Sequence, residues 1–411
     1  MKKILNNIRL TFDDILYGNR VTNFFVLLSA YYLLNLLTSP INSGMSGGLE
    51  ADRNIVNQVS AGLFVIFVLY YCVTTQIRKS YIIARAMAIF IIYVTLRLLV
   101  GFSLDMSRHT IFSYSSLVNI CYWGGGLIFS LKCFRYATPH TLKRMVQMSI
   151  CVFLVFITFR LFTQKALLAR LGMSAGINVA AHTYMLIPLV MLVFKDRMRI
   201  LMFLICAFIC LYSAKRQSAV GLAIVTVCSI KMIYQSYFKN HKKLALLLLI
   251  PILYFGYKYV NKASYDLIRR QQRTVYNENM DSGRFDLWAV ALDGFKYDNE
   301  TTHWLGGGPG TGRRYIGLYY PIARAPHNGF IQYLCDYGYI GLGLYVLFFI
   351  ILFAYIVKIR GTDNKLIYLS ICFSWLFANM ISHPGSVRFI FLAIGIGYIV
   401  YQQEHERSKV T

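Results

Sequence analysis

The chain carries one long polar interruption, roughly residues 261–326, and Pro326-His327-Asn328, followed by Gly338 and Gly341, closes it. Chemistry is expected where a loop rich in Arg, Asp and Gly returns to apolar sequence through a His-Asn pair. Inside the loop Asp281-Ser282 offers a helix N-cap. Phe285, Trp288, Ala291, Leu292 and Phe295 then recur at helical spacing, with Gly294 and the polar run from Lys296 as stop signals. The spacing predicts an amphipathic helix near 283–295. Arg284 falls in its first turn, where free N–H groups and the helix dipole favour an anion. Phosphate would profit most from an added bidentate guanidinium. Pairing of Arg284 with Asp281 or Asp286 is the alternative.

Gly306-Gly307-Gly308-Pro309-Gly310 and Arg313-Arg314 follow. Clustered glycines such as Gly308 and Gly310 let successive N–H groups converge on an anion, or let a bulky group approach the main chain; a plain turn is the commoner use. Tyr315, Tyr319 and Tyr320 read as an aromatic belt at a membrane surface, or as faces on which sugars stack. Nine basic residues against seven acidic ones leave the loop at +2, so local geometry outweighs its bulk field. Lys215 and Arg216 lie in a second break, Tyr212 to Ser218, against the charge bias of the remaining loops, which makes them functional candidates; snorkelling to headgroups is the alternative.

The elements that position these residues are apolar. With 57% hydrophobic residues, 14% charged residues and a mean hydropathy of +0.52 over 411 positions, the chain is an all-α integral membrane protein. Windows able to cross a roughly 30 Å hydrocarbon core fall near 21–38, 55–75, 82–101, 111–131, 145–163, 176–194, 198–212, 217–237, 244–260, 338–357, 366–382 and 385–401. They give about twelve helices: a bundle of about nine over 1–260, an extracytoplasmic loop over 261–337, and C-terminal helices with a short tail over 338–411. Alternate loops hold Arg78 and Lys79; Lys132, Arg135, Lys143 and Arg144; Lys239, Lys242 and Lys243; Lys358, Arg360 and Lys365. The positive-inside rule puts that side, and both termini, in the cytoplasm. Topology and anionic lipid account for much of the net charge of +25, which is no argument for nucleic acid. The nine cysteines sit in or beside apolar segments without a CxxC pair, and no phosphate-binding GxxxxGK[ST] loop occurs. Arg97, Arg160 and Arg388 read as interface anchors or helix-packing partners, and His182 and His383 as packing or hydrogen-bonding histidines.

In order and topology these pieces resemble the O-antigen ligase and O-antigen polymerase superfamily of bacterial polysaccharide assembly. The carriers of the likeness are His327-Asn328 followed by Gly338-Tyr339-Ile340-Gly341, Gly283-Arg284-Phe285-Asp286-Leu287-Trp288, Ser213-Ala214-Lys215-Arg216 opening a membrane helix, Gly306 to Gly310, and Asn178-Val179-Ala180-Ala181 before Pro188.

The resemblance implies an inner-membrane glycosyltransferase whose donor is a glycan on undecaprenyl diphosphate at the outer leaflet. Arg216 and Arg284, with Lys215, would hold the diphosphate, and His327 would take the proton of an acceptor hydroxyl. Asn328 would orient the loop or bond a sugar hydroxyl. Arg313, Arg314, Gly308, Gly310, Gly338 and Gly341 would shape the loop and the substrate site. Two arginines can neutralise a leaving diphosphate without a metal, no cofactor is implied, and a single displacement inverts the anomer. The acceptor would be a second lipid-linked glycan in a polymerase, or lipid A-core in a ligase. Membrane lipids and a chain-length regulator are the further expected partners. Gly341-Leu342-Gly343 replaces the adjacent glycines usual in ligases, which favours polymerase. A transporter of lipid-linked sugars would show inverted repeats and helices broken at midplane; neither is expected.

Overall fold

Apolar surroundings leave a chain few options: backbone N–H and C=O groups must pair within the segment, and a helix does this without a partner strand. The computed structural model describes Ile66 and residues 82–104, 120–134, 138–170, 182–213, 216–235, 284–320, 325–358, 365–381 and 394–401, and among these no strand occurs. In chain order the helices are α1 (Ile82–Leu104), α2 (Gly126–Phe134, entered by a π-turn over Cys121–Gly125), α3 (Pro139–Arg170), α4 (Ile187–Val193), α5 (Asp196–Tyr212) and α6 (Arg216–Ile233). The polar segment follows with α7 (Arg284–Lys296), α8 (Glu300–Leu305) and α9 (Thr311–Tyr319), and then come α10 (Gly329–Val357) and α11 (Lys365–Ile381). Residues 394–401 are helical as well.

Local chemistry explains several ends. Thr138 Oγ1 accepts from Thr141 N at 3.2 Å while Pro139 takes the first position of α3, where no donor is lost. Asn299 caps α8 by accepting from Thr302 N at 2.8 Å.

Ile82–Val100, Pro139–Thr163 and Gly329–Val357 are long and apolar enough to cross a membrane; Thr183–Val193, Gln217–Ile233 and Lys365–Met380 are apolar but shorter. The predicted windows at 21–38 and 244–260 lie outside the described residues. Those at 55–75, 111–131, 176–194, 217–237 and 385–401 do so in part.

The bundle core gathers around α10, which packs against α1 on one side and α11 on the other, while α6 also packs against α11. Phe90 of α1 meets Tyr333 edge-on at 5.5 Å, and Trp375 Nε1 of α11 donates to the Tyr345 hydroxyl at 3.2 Å. A smaller core lies beneath the polar segment, made by Leu287, Ala291 and Phe295 of α7, Tyr315 and Ile316 of α9, and Cys335 of α10.

Two expectations change here. Tyr315 is buried in the small core, so it is not a belt residue, whereas Tyr319 and Tyr320 are exposed. Gly294 does not stop α7, which runs through to Lys296. A Cβ there would stand 2.5 Å from Tyr315 Cγ, so the glycine is the slot into which the tyrosine ring packs. A broken helix does occur, since α10 is interrupted at Gly338 (φ 67°, ψ −168°). The break comes at the first residue of the predicted 338–357 window rather than at its middle.

Candidate functional site

The break in α10 organises the site. A helix interrupted at Gly338 leaves carbonyls just before it without their usual intrahelical donors, and three of them are met by donors from elsewhere in the chain. Gly307 N donates to Cys335 O at 3.0 Å and Gly308 N to Asp336 O at 3.0 Å. The Tyr93 hydroxyl of α1, a single donor, lies 2.8 Å from Tyr337 O and 3.2 Å from Leu305 O. Arg97 Nη2, one turn further along α1, donates to Gly306 O, so this arginine is a packing partner of the glycine turn.

The amides of Gly307 and Gly308 are therefore engaged by carbonyls of α10. Of the uses open to clustered glycines, close approach of two main chains is the one realised here. Gly308 and Gly310 both have φ of 91°, the left-handed region in which glycine is favoured. Gly310 is the N-cap of α9, and in the first turn of that helix the Gly312 N–H donates to the buried Asp336 side chain at 3.2 Å. Asp336 Oδ1 thus satisfies one of the free donors that the N-terminal turn of α9 presents. No motif pointed to Asp336; an acidic residue two places before a helix-breaking glycine was the available signal.

Gly312 also sets the other wall. A Cβ there would come within 3.4 Å of Pro326 Cγ, so α9 and Pro326 lie in contact. On the opposite side Trp288 Nε1 of α7 donates to the Pro326 carbonyl at 2.7 Å. Next comes His327, half-buried, with φ at 53°. That conformation is uncommon outside glycine, though histidine is among the residue types enriched in it. Asn328 then caps α10, its Oδ1 accepting from Phe330 N at 3.0 Å and Ile331 N at 3.3 Å. His327 is held from both sides, by a pinned carbonyl before it and a committed cap after it.

Arg284 opens α7 four residues before Trp288: at i and i+4 the two share a face, about 6 Å apart along the axis. The guanidinium-bearing first turn of α7 is therefore one turn from the Trp288–Pro326 bond. Arg313 is half-buried in α9, and burial pushes its pKa down; Arg314 is exposed. Asp298 closes the subdomain from the far side by accepting the Tyr315 hydroxyl.

The structure thus gathers His327, Asn328, Arg284, Gly308, Gly310, Arg313, Arg314 and Gly338 around α7, α9 and the head of α10. Gly341 sits a turn beyond the break, where a Cβ would come 3.1 Å from the Tyr93 ring. Arg216 opens α6, but its side chain and all of Lys215 lie outside the described residues, as do His383 and Arg388. The helix ends flanking that second break are stapled by Ser213 Oγ and Ser218 Oγ at 2.9 Å. Gln217 Nε2 lies 3.5 Å from Nε2 of the buried His182, and Arg160 is buried in α3.

These features define a membrane protein, helical throughout its regular elements among the described residues, with a small polar subdomain docked on the broken end of a long apolar helix. The family described as O-antigen ligase matches residues 201–346, a stretch that takes in most of α5, all of α6 to α9 and the head of α10. The match supports membership of the O-antigen ligase and polymerase superfamily, whose members are glycosyl-transferring membrane enzymes. No curated protein matches the chain.

Proposed function

We propose that the protein is a metal-independent inverting glycosyltransferase that takes a glycan from undecaprenyl diphosphate and adds it to a second lipid-linked glycan, as a polysaccharide polymerase. What carries the reading is the bond from Trp288 Nε1 to Pro326 O, which ties the helix opened by Arg284 to the residue preceding His327. The bond brings the helix turn one turn beyond that anion-favouring start against the residue before the imidazole, which supports transfer from a phosphate leaving group.

In the proposed reaction the acceptor hydroxyl oxygen attacks the anomeric carbon and its proton passes to His327. The bond from that carbon to the diphosphate oxygen breaks, and the carbon inverts. Arg284, with Arg216 and Lys215 from the second break, neutralises the departing diphosphate. Asn328, whose Oδ1 caps α10, sets the backbone at His327. The reading uses a topology of about twelve helices in the bacterial inner membrane, with the 261–337 loop outside and both termini in the cytoplasm.

A ligase that moves the glycan to lipid A-core is the second reading, favoured by the description of the matching family. The purified protein in vesicles, supplied with lipid-linked repeat units, tests the chemistry. His327→Ala is expected to bind donor and lose turnover, and EDTA to leave the wild-type rate intact. Normal turnover by the alanine variant would sink the proposed base. A deletion strain separates the two readings: single-repeat surface polymer marks a lost polymerase, and long lipid-linked chains without surface polymer mark a lost ligase.

A further inference from the structure

Trp304, the next-to-last residue of α8, is 55% exposed and meets Tyr339 edge-on with ring centroids 5.7 Å apart. Tyr339, itself 50% exposed, is the first residue of α10 after the break. It heads a row of exposed apolar side chains, continued by Val346, Ile350, Phe353 and Val357. Intervals of seven, four, three and four keep that row on one face of the helix. Tyr345, Phe348, Leu352 and Ile356 are buried in the bundle on the other face.

An exposed row this apolar, on a helix long enough to span, has hydrocarbon as its natural solvent. Trp304 extends the row beyond the helix itself, onto the polar subdomain. Trp and Tyr are the residues that favour the membrane–water boundary, where the ring is dry and the N–H or O–H is wet.

The break falls at the same level and meets the condition a membrane edge imposes. The Cys335, Asp336 and Tyr337 carbonyls that precede it are all taken by donors of the protein itself, Gly307 N, Gly308 N and the Tyr93 hydroxyl.

We propose that Trp304 and Tyr339 form an interfacial anchor by which the α7–α9 subdomain rests on the headgroup layer of the bilayer. The occupant of this surface is lipid, because the surface is continuous with the lipid-facing row of α10. The anchor holds whichever transfer reaction the site performs, and it assigns to Trp304 the boundary role that sequence suggested for Tyr315.

The test uses the full-length wild-type protein in phosphatidylcholine vesicles, footprinted with hydroxyl radicals and read by mass spectrometry. Tyr297 of the same subdomain, 80% exposed, serves as the water-facing reference. After correction for intrinsic reactivity, Trp304 and Tyr339 are expected to be labelled several-fold less than Tyr297. A second measurement compares tryptophan emission of wild type and Trp304→Phe. Lipids brominated near the headgroup should quench the emission that Trp304→Phe removes, and do so more than lipids brominated near the chain end. Labelling of Trp304 to the level of Tyr297, or emission from it indifferent to bromine, would overturn the proposal and mark the pair as a water-facing surface for sugar or protein. The footprint needs no variant, so poor folding of Trp304→Phe would leave it decisive.

Discussion

Gly306 and Gly338 meet backbone to backbone: a Cβ on Gly338 would stand 2.5 Å from Gly306 N, and one on Gly306 would stand 2.3 Å from Asp336 O and Tyr337 N. Both residues also have positive φ, 78° and 67°. The contact locks the glycine turn into the broken end of α10, and the order of the site depends on it.

A graded glycine series follows from that contact. Gly338→Ala meets main-chain atoms that cannot yield and is expected to cost about 4 kcal/mol or more. At Gly308 a Cβ meets nothing within 4 Å, so only its φ of 91° opposes alanine, at about 1 kcal/mol. Gly343, with open space and no such φ, should tolerate alanine within about 0.5 kcal/mol. Thermal midpoints of the purified variants should fall in that order, and an unaffected Gly338→Ala would contradict the packing described.

Trp288→Phe keeps the ring and removes the donor to Pro326. A hydrogen bond of this kind is worth about 1 kcal/mol net, so protein levels should hold. The rate should fall by roughly tenfold if positioning His327 costs about 1.4 kcal/mol at the barrier, with donor binding unchanged. Equal losses of binding and rate would assign Trp288 to the donor site instead.

His327 is expected to trade stability for function. His327→Gly and His327→Ala should each lose on the order of 10²- to 10⁴-fold in rate, as for removal of one proton-transfer group. Glycine accepts a φ of 53° freely and alanine does not, so the glycine variant should be the more stable by about 1 kcal/mol. The two melting curves provide the check.

Asp298 and Tyr315 should give α9 a dependence on pH. Partial burial pushes the Asp298 carboxyl up, but hydrogen bonds from Tyr315, Asn299 N and Thr302, together with nearby Arg314, outweigh it and hold the carboxyl below its usual range. Its contribution is complete above the unfolded value of about 4 and is lost as pH falls through the lower folded value. Burial, then the bond to Asp298, pushes Tyr315 up, so its contribution is in place below about pH 10 and fades as pH rises through the higher folded value. Protection factors of the α9 amides, taken against the intrinsic exchange rate at each pH, should fall on acidification in the wild type. In Asp298→Asn they should be lower from the outset and should lack that acid step.

The sequence alone determined what is local. The 3.6-residue recurrence of Phe285, Trp288, Ala291, Leu292 and Phe295 predicts α7 to within a residue at each end, because periodicity and capping act over a few neighbours. Apolar length likewise marks the spans at 82–101 and 338–357, and the polar segment with His327-Asn328 stands out by contrast with them. Tertiary structure alone decided the pairings between distant residues. Tyr93 and Tyr337 lie 244 positions apart, and Trp288 and Pro326 lie 38 apart, so no period or motif links them. Tyr315 became core rather than belt because Gly294 opens a slot for its ring, and Asp336 acquired a helix to cap only once α9 docked on α10. Composition says which residues prefer lipid or water; which carbonyl a broken helix offers, and to whom, is settled when the helices pack.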